Sequence, residues 1–301
     1  MGKGLMTRIL LCALVFSLFA FVSYASGGSA GAGPVPPSNH YVVNGSMAKF
    51  ESLYQEGKGM GYFFYEELTS KLLPKFKGIP YGSGGAGCPS DKTLVNFQSF
   101  DCVTFVETWW ALSYSLFEVQ SNKVPKASKP FDVFCKNLNR IRYFGGENCG
   151  IEHRIHYFTQ ALEELDRSGL AFNVALANGF PFKKKIDYIT QNTGIYGELS
   201  TSAQHKSYET VLNKTPRYFY PAANREMYYP MAKDGDIIAF ASSEPGLDVS
   251  HCGIVTVEDG EPKLNHASQL YDKVVVGQDL EMYMRSRAGK VNGFFVYRPR
   301  H

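Results

Sequence analysis

A cysteine at the head of an apolar helix pattern and two histidines on neighbouring strand patterns are the residues here best suited to nucleophilic chemistry. The segment FDCVTFVETWWALSYSL (100–116) places Cys102 at an expected helix start, with Asp101 as N-cap. Val103, Val106, Trp110 and Phe117 make one apolar stripe; Phe105, Trp109, Leu112 and Leu116 make another. A helix apolar on most sides belongs in a core. The unpaired backbone N–H groups of its first turn favour negative charge. They raise the thiolate fraction of a cysteine placed there. They also offer donors to an oxyanion forming on an attacked carbonyl. The segment alone leaves open the plainer role of a small buried hydrophobe.

A thiolate needs a base, and the base needs a group to orient it. Of seven histidines, His40 and His301 lie near the ends, His205 in a polar segment, and His153 and His156 around Arg154. His251 and His266 fall on adjacent expected strands, joined through Glu258-Asp259-Gly260-Glu261, a strong hairpin signal. A turn of two or four residues sets His266 opposite Gly253. Gly253 shares a face with His251, because side chains alternate along a strand. The two rings are then diagonal neighbours, with room beside them at the glycine. An odd-length turn would separate them. Cys252 points to the other face, which suits a core cysteine and not a nucleophile.

The elements that must position these residues divide along the chain. Helices are expected at 46–56, 61–75, 102–117, 130–142 and 156–168, with a Gly-rich loop at 78–92. Strands are expected at 235–240, 249–257, 262–268, 273–276 and 293–299, with a short helix at 278–286. Helices followed by a run of strands predict an α+β fold with an antiparallel sheet.

Composition bounds the function classes. Lys3 and Arg8, the apolar run from Ile9 to Val22 and the small residues ending at Ala25 read as a signal peptide, 1–25. The run is short for a membrane span. Residues 26–38 are Gly, Ser, Ala and Pro with one Val, a flexible leader. Residues 39–301 read as one domain, exported to the periplasm or beyond, with no membrane insertion after signal cleavage. Without Lys3 and Arg8 the chain carries 29 basic against 28 acidic residues, which argues against a nucleic-acid partner. Lys183-Lys184-Lys185 reads as a solvated turn. Five of the six cysteines lie beyond the apolar run. An odd count in an exported chain leaves one thiol unpaired. Cys88 and Cys149 both lie in Gly-rich stretches where a disulfide is an option; Cys135 suits a helix core. No CxxC or Cys/His zinc spacing appears, and no cofactor is called for.

Together these residues resemble the NlpC-type cell-wall cysteine peptidases of the papain-like superfamily, and more closely the N-acetylmuramoyl-L-alanine amidase-like family. GIPY (78–81), FDCVTFVET (100–108), RIHYF (154–158), DGDIIAF (234–240), GLDVSHCGIV (246–255) and LNHAS (264–268) carry the resemblance. The Gly-rich loop with Cys88, and Cys252 where the family usually has an apolar residue, depart from it. The resemblance implies a papain-like fold and cleavage of the amide between N-acetylmuramic acid and L-alanine in muropeptides. Cys102 would be the nucleophile, His251 the base and His266 its orienting group. Tyr81 would donate to the substrate or oxyanion. Arg154, His156 and Tyr157, clustered at an expected helix start, would contact substrate carboxylates or serve as a structural cap or salt bridge, and Asp101, Asp248 and Ser250 would shape the pocket. A monomer is expected. A stem-peptide endopeptidase with the same triad, an acyltransferase and a non-catalytic wall-binding module remain alternatives.

Overall fold

The structure is a computed structural model that describes residues 40–60, 65–82, 92–148 and 150–300. The expected signal peptide and leader, Cys88 and Cys149 fall outside them, and the Cys88–Cys149 pairing with them.

The elements run β1 (His40–Val42), α1 (Ser46–Gly59), α2 (Tyr65–Leu72), β2 (Thr93–Val95), α3 (Cys102–Gln120), α4 (Pro130–Arg142) and α5 (Phe158–Arg167). Short strands β3 (Ala171–Asn173) and β4 (Phe180–Pro181) follow. Next come the single-turn helices α6 (Tyr188–Gln191), α7 (Thr193–Tyr196) and α8 (Glu198–Thr201), then α9 (Ala203–Lys214) and β5 (Tyr218–Pro221). The chain closes with β6 (Ile237–Ser242), β7 (Val249–Glu258), β8 (Glu261–Ser268), β9 (Lys273–Asp279), α10 (Leu280–Ser286) and β10 (Val291–Pro299). The fold is α+β: an antiparallel sheet ordered β4-β5-β10-β6-β7-β8-β9, with β3 also on β10, and a separate parallel pair, β1–β2.

Helix α3 lies in the middle of the helical layer. Its start is a reciprocal cap. The Asp101 carboxylate accepts from the Thr104 N–H at 2.7 Å, and the Thr104 hydroxyl accepts from the Asp101 N–H at 3.0 Å. Most of its residues are buried, including Trp109 and Trp110. Burying one large apolar side chain contributes roughly 2–3 kcal/mol. The helix packs on β7 and β8 and against α4. The sheet face beneath it carries small side chains, Ala239, Ala241, Cys252 and Ala267, so the helix can approach closely. The opposite face carries Ile238, Phe240, Val255, Leu264, Phe294 and Val296 with Tyr283 of α10. Alternation along β6 and β10 assigns each residue to its face.

The β7–β8 hairpin pairs Val255 with Leu264 and Glu258 with Glu261, leaving Asp259 and Gly260 as a two-residue turn. Both have positive φ, 53° and 81°, as a type I′ turn requires. The main departure from the expected elements is 188–214. Three single-turn helices and α9 stand there, between the helical half and the sheet. Their apolar contribution is a small cluster around Ile186, Ile189 and Leu212. The three single-turn helices are too short to show a period.

Candidate active site

The cap that begins α3 leaves Cys102 in its first turn, 8% exposed, at the bottom of a narrow cleft. The other walls come from the start of α5, from α6 and α7, and from the segment 247–252 leading into β7. Cys102, His251 and Cys252 all line this cleft. It encloses about 50 Å³, room for a reacting group and not for a whole sugar.

A bulge and a glycine, both in β7, set the polar side chains. In the β6–β7 pairing, Phe240 faces His251 but Ala241 faces Val249, so Ser250 is an extra, bulged residue. A bulge bends its strand and re-aims the side chains beside it. The His251 ring lies over Phe240 and Tyr283, on the face opposite Cys252. His266 comes from β8, opposite Gly253. A Cβ on Gly253 would stand 2.6 Å from the Asn265 carbonyl oxygen and 3.1 Å from the His266 Cβ. The missing side chain is what lets β7 and β8 hold two imidazoles side by side.

The rings meet edge to face, centroids 4.8 Å apart, with His251 Nε2 2.6 Å from His266 Nδ1. His266 Nε2 continues the chain to Gln278 Oε1 at 2.7 Å. Burial pushes both imidazoles towards neutrality. The His251 pKa falls well below the usual 6.5 through desolvation, then through His266 and Arg287. That of His266 falls to about 4 through desolvation, with Arg287 adding to the fall and Gln278 opposing it. Cys252 is fully buried, and its thiol interacts with that of Cys102. Desolvation first and this contact second push its pKa well above the ordinary thiol value, so it stays protonated.

The family model described as "AmiA-like: N-acetylmuramoyl-L-alanine amidase-like" matches residues 72–290. The chain belongs to that family. Among solved structures, an N-acetylmuramoyl-L-alanine amidase from Bacteroides uniformis is 27% identical, with TM-score 0.67, over 82% of this chain and all of the other. A Bacteroides fragilis protein named provisionally as a xylanase is 31% identical, with TM-score 0.66, over 75% and 98%. A Legionella pneumophila protein, LPG0564, shares the fold at 15% identity and TM-score 0.60, over 85% and 95%. Among curated proteins none matches the chain.

The residues expected to bind substrate fall into two groups in space. His156, Tyr157, Asp248 and Ser250 line the cleft with Cys102 and His251; Tyr81, Asp101 and Arg154 do not. Tyr81 bridges to Phe100 and donates its N–H to the Asp272 carbonyl, beside the entry to α3. Asp101 is spent on the cap. Arg154 donates to Glu107 at 3.0 Å, and Arg142 donates to the same carboxylate at 2.5 Å. Burial works against the Arg154 charge, yet Glu107 holds its pKa above the usual value.

The cleft-lining group is also partly committed to internal bonds. The Tyr157 hydroxyl donates to Glu209 and accepts from the Ile189 N–H, which ties α6 and α9 to the start of α5. The buried Asp248 carboxylate accepts from the Thr159 N–H at 2.9 Å and from its hydroxyl at 2.8 Å. Burial raises its pKa against those bonds. His156 bonds the Ile151 carbonyl through Nε2. Lys184, expected in a solvated turn, donates to the carbonyls of Ser242, Glu244 and Leu247. Its half-buried ammonium thereby fixes the loop that precedes β7. Gln278 is the site neighbour that sequence reasoning did not assign a role.

Proposed function

We propose that the chain is an exported cysteine-dependent hydrolase of papain-like, NlpC-type fold. In this reading it is an N-acetylmuramoyl-L-alanine amidase that releases the stem peptide from the sugar of muropeptides. Residues 39–301 form its domain, behind a signal peptide at 1–25 and a leader at 26–38.

The observation that carries the reading is one cleft joining a thiol at a helix N-terminus to an imidazole at the end of a desolvated relay. Cys102 loses its proton to His251, and the sulfur electron pair attacks the amide carbonyl. The Cys102 backbone N–H, in the first turn of α3, donates to the oxyanion. His251 then returns the proton to the leaving amine of L-alanine, and water hydrolyses the thioester. His266 orients His251. With Glu107 holding Arg154 and the Ile151 carbonyl taking the His156 Nε2–H, contact with substrate carboxylates falls to the cleft rim.

The provisional xylanase name of one relative has no support in this cleft. Glycoside hydrolysis calls for two carboxyl groups flanking the bond. Among the residues lining the cleft Asp248 is the one carboxylate, and Thr159 occupies it.

The test is to incubate the protein and its Cys102→Ala variant with a defined disaccharide–tetrapeptide and identify products by mass spectrometry. Free tetrapeptide and peptide-free disaccharide, made by the wild type alone, are expected. A shorter peptide would move the cut to the D-glutamyl–diamino-acid bond with the same nucleophile. Equal release by both proteins would remove Cys102 from the chemistry.

A further inference from the structure

Gln278 lies on β9, just before α10, where the β8–β9 pairing is irregular. His266 pairs with Val275, but Leu264 pairs with Gln278, so β9 carries one residue more than β8 between these points. In a regular ladder the residue opposite Leu264 would be Gly277. The bulge, with Gly277 at φ 76° and its N–H on the Asn265 side chain at 2.9 Å, substitutes Gln278 on that face. A one-residue shift exchanges the faces of a strand. The irregularity is therefore what brings the amide oxygen within 2.7 Å of His266 Nε2.

We propose that Gln278 is a positioning residue that sets the order of protons along the relay. The inference rests on the thiol-hydrolase reading and deepens it. An amide oxygen only accepts, so His266 Nε2 must carry its proton. In a neutral imidazole the other nitrogen, Nδ1, is then an acceptor. His251 must therefore donate from Nε2 across the 2.6 Å contact. A neutral His251 protonated at Nε2 has its lone pair on Nδ1. Among the described residues Nδ1 makes no hydrogen bond, and it is the atom left to take the Cys102 proton. Turning the amide over reverses every step. An amide N–H donated to His266 Nε2 makes Nδ1 of His266 the donor and Nε2 of His251 the acceptor. The remaining proton of His251 then sits on Nδ1, where it cannot accept from a thiol. One side chain, outside the three residues named for catalysis, thus decides whether the base points its lone pair at the nucleophile.

The groups facing the relay are few. Tyr283 of α10 packs against both rings, and Arg287, just beyond that helix, disfavours their protonation. Cys102 and Cys252 line the same cleft as His251. Lys263 and Asp279, on the strands that carry His266 and Gln278, neutralise each other at 3.1 Å.

The experiment compares Gln278→Leu and Gln278→Glu with the wild type and with Cys102→Ala, using kcat/KM against pH on the disaccharide–tetrapeptide. Alkylation of Cys102 by iodoacetamide against pH supplies a readout without substrate. Leucine removes the acceptor, and kcat/KM is expected to fall on the order of 10²-fold, the size of a general-base contribution, with KM little changed. Glutamate keeps an acceptor at the same reach and adds a negative charge. Activity is expected within about fivefold of wild type, with the acid limb of both profiles moved to higher pH, because the charge favours the imidazolium. If the two variants lose activity alike with unmoved acid limbs, Gln278 is only structural and the inference fails. Should the leucine variant not fold, the acid limb of the glutamate variant decides alone: a rise supports the inference and a fixed limb overturns it. An active Cys102→Ala protein would instead sink the thiol reading, whatever Gln278 does.

Discussion

Two buried polar networks flank the start of α3, and they end differently. On one side Glu107 of α3 receives Arg142 and Arg154, at 2.5 and 3.0 Å, and Arg142 also donates to the Leu94 carbonyl. The carboxylate is all but sealed from solvent, and two guanidinium groups share it. On the other side Gln278, His266 and His251 form a chain without net charge that runs to the cleft. The first network is closed and holds β2, α3, α4 and the segment before α5 together. The second is open, and its last atom has no protein partner among the described residues. Both contain residues whose types suggested chemistry. What separates a brace from a candidate reactive site is whether the network leaves one group unspent where a ligand can reach it.

The largest expected effect that tests this contrast is on the closed network. Glu107→Gln leaves two guanidinium groups buried without their counter-charge. It should cost about 3–5 kcal/mol in urea unfolding, while KM of the folded fraction stays near wild type. A raised KM with little loss of stability would instead place Arg154 on the substrate and dissolve the contrast.

The open network should show itself through pH. The folded His266 pKa of about 4 lies below the usual 6.5, so the unfolded chain binds the proton more tightly. Its stabilisation is complete above pH 6.5 and is lost as pH falls towards 4, by roughly 3 kcal/mol in all. Urea unfolding between pH 7 and 4 should therefore be steeper in pH for the wild type than for His266→Gln. Equal slopes would mean that the ring is not held neutral in the fold.

The smallest effect belongs to the second thiol. Cys252→Ala removes one fully buried sulfur atom and is expected to cost about 1 kcal/mol and leave kcat/KM within severalfold. Loss of all turnover would transfer the essential thiol from Cys102 to Cys252.

Much of this arrangement can be read in the chain. The start of α3 follows from Asp101 before an apolar run, and α4 runs over 130–142 as expected, because the period of buried positions is strong. The Asp259-Gly260 turn determined the β7–β8 register. Through alternation that register put His251 and His266 on one face and Cys252 on the other. These are local matters, set by caps, turn chemistry and period, and a few neighbouring residues suffice to specify them.

Other features needed the folded chain. Nothing in RIHYF distinguishes an arginine that meets a ligand from one that meets Glu107, 47 positions earlier. The bulge at Gly277 shifts Gln278 onto the histidine face, whereas the linear pattern ends the strand at 276 and starts a helix at Gln278. The contact between Cys102 and Cys252 depends on how closely α3 settles on the small residues of β6, β7 and β8. The sequence by itself thus determined which elements form, where Cys102 sits on its helix and which face each histidine takes. Only the tertiary structure decided which polar groups are consumed by one another and which is left facing the cleft, because that depends on distances between residues far apart in the chain.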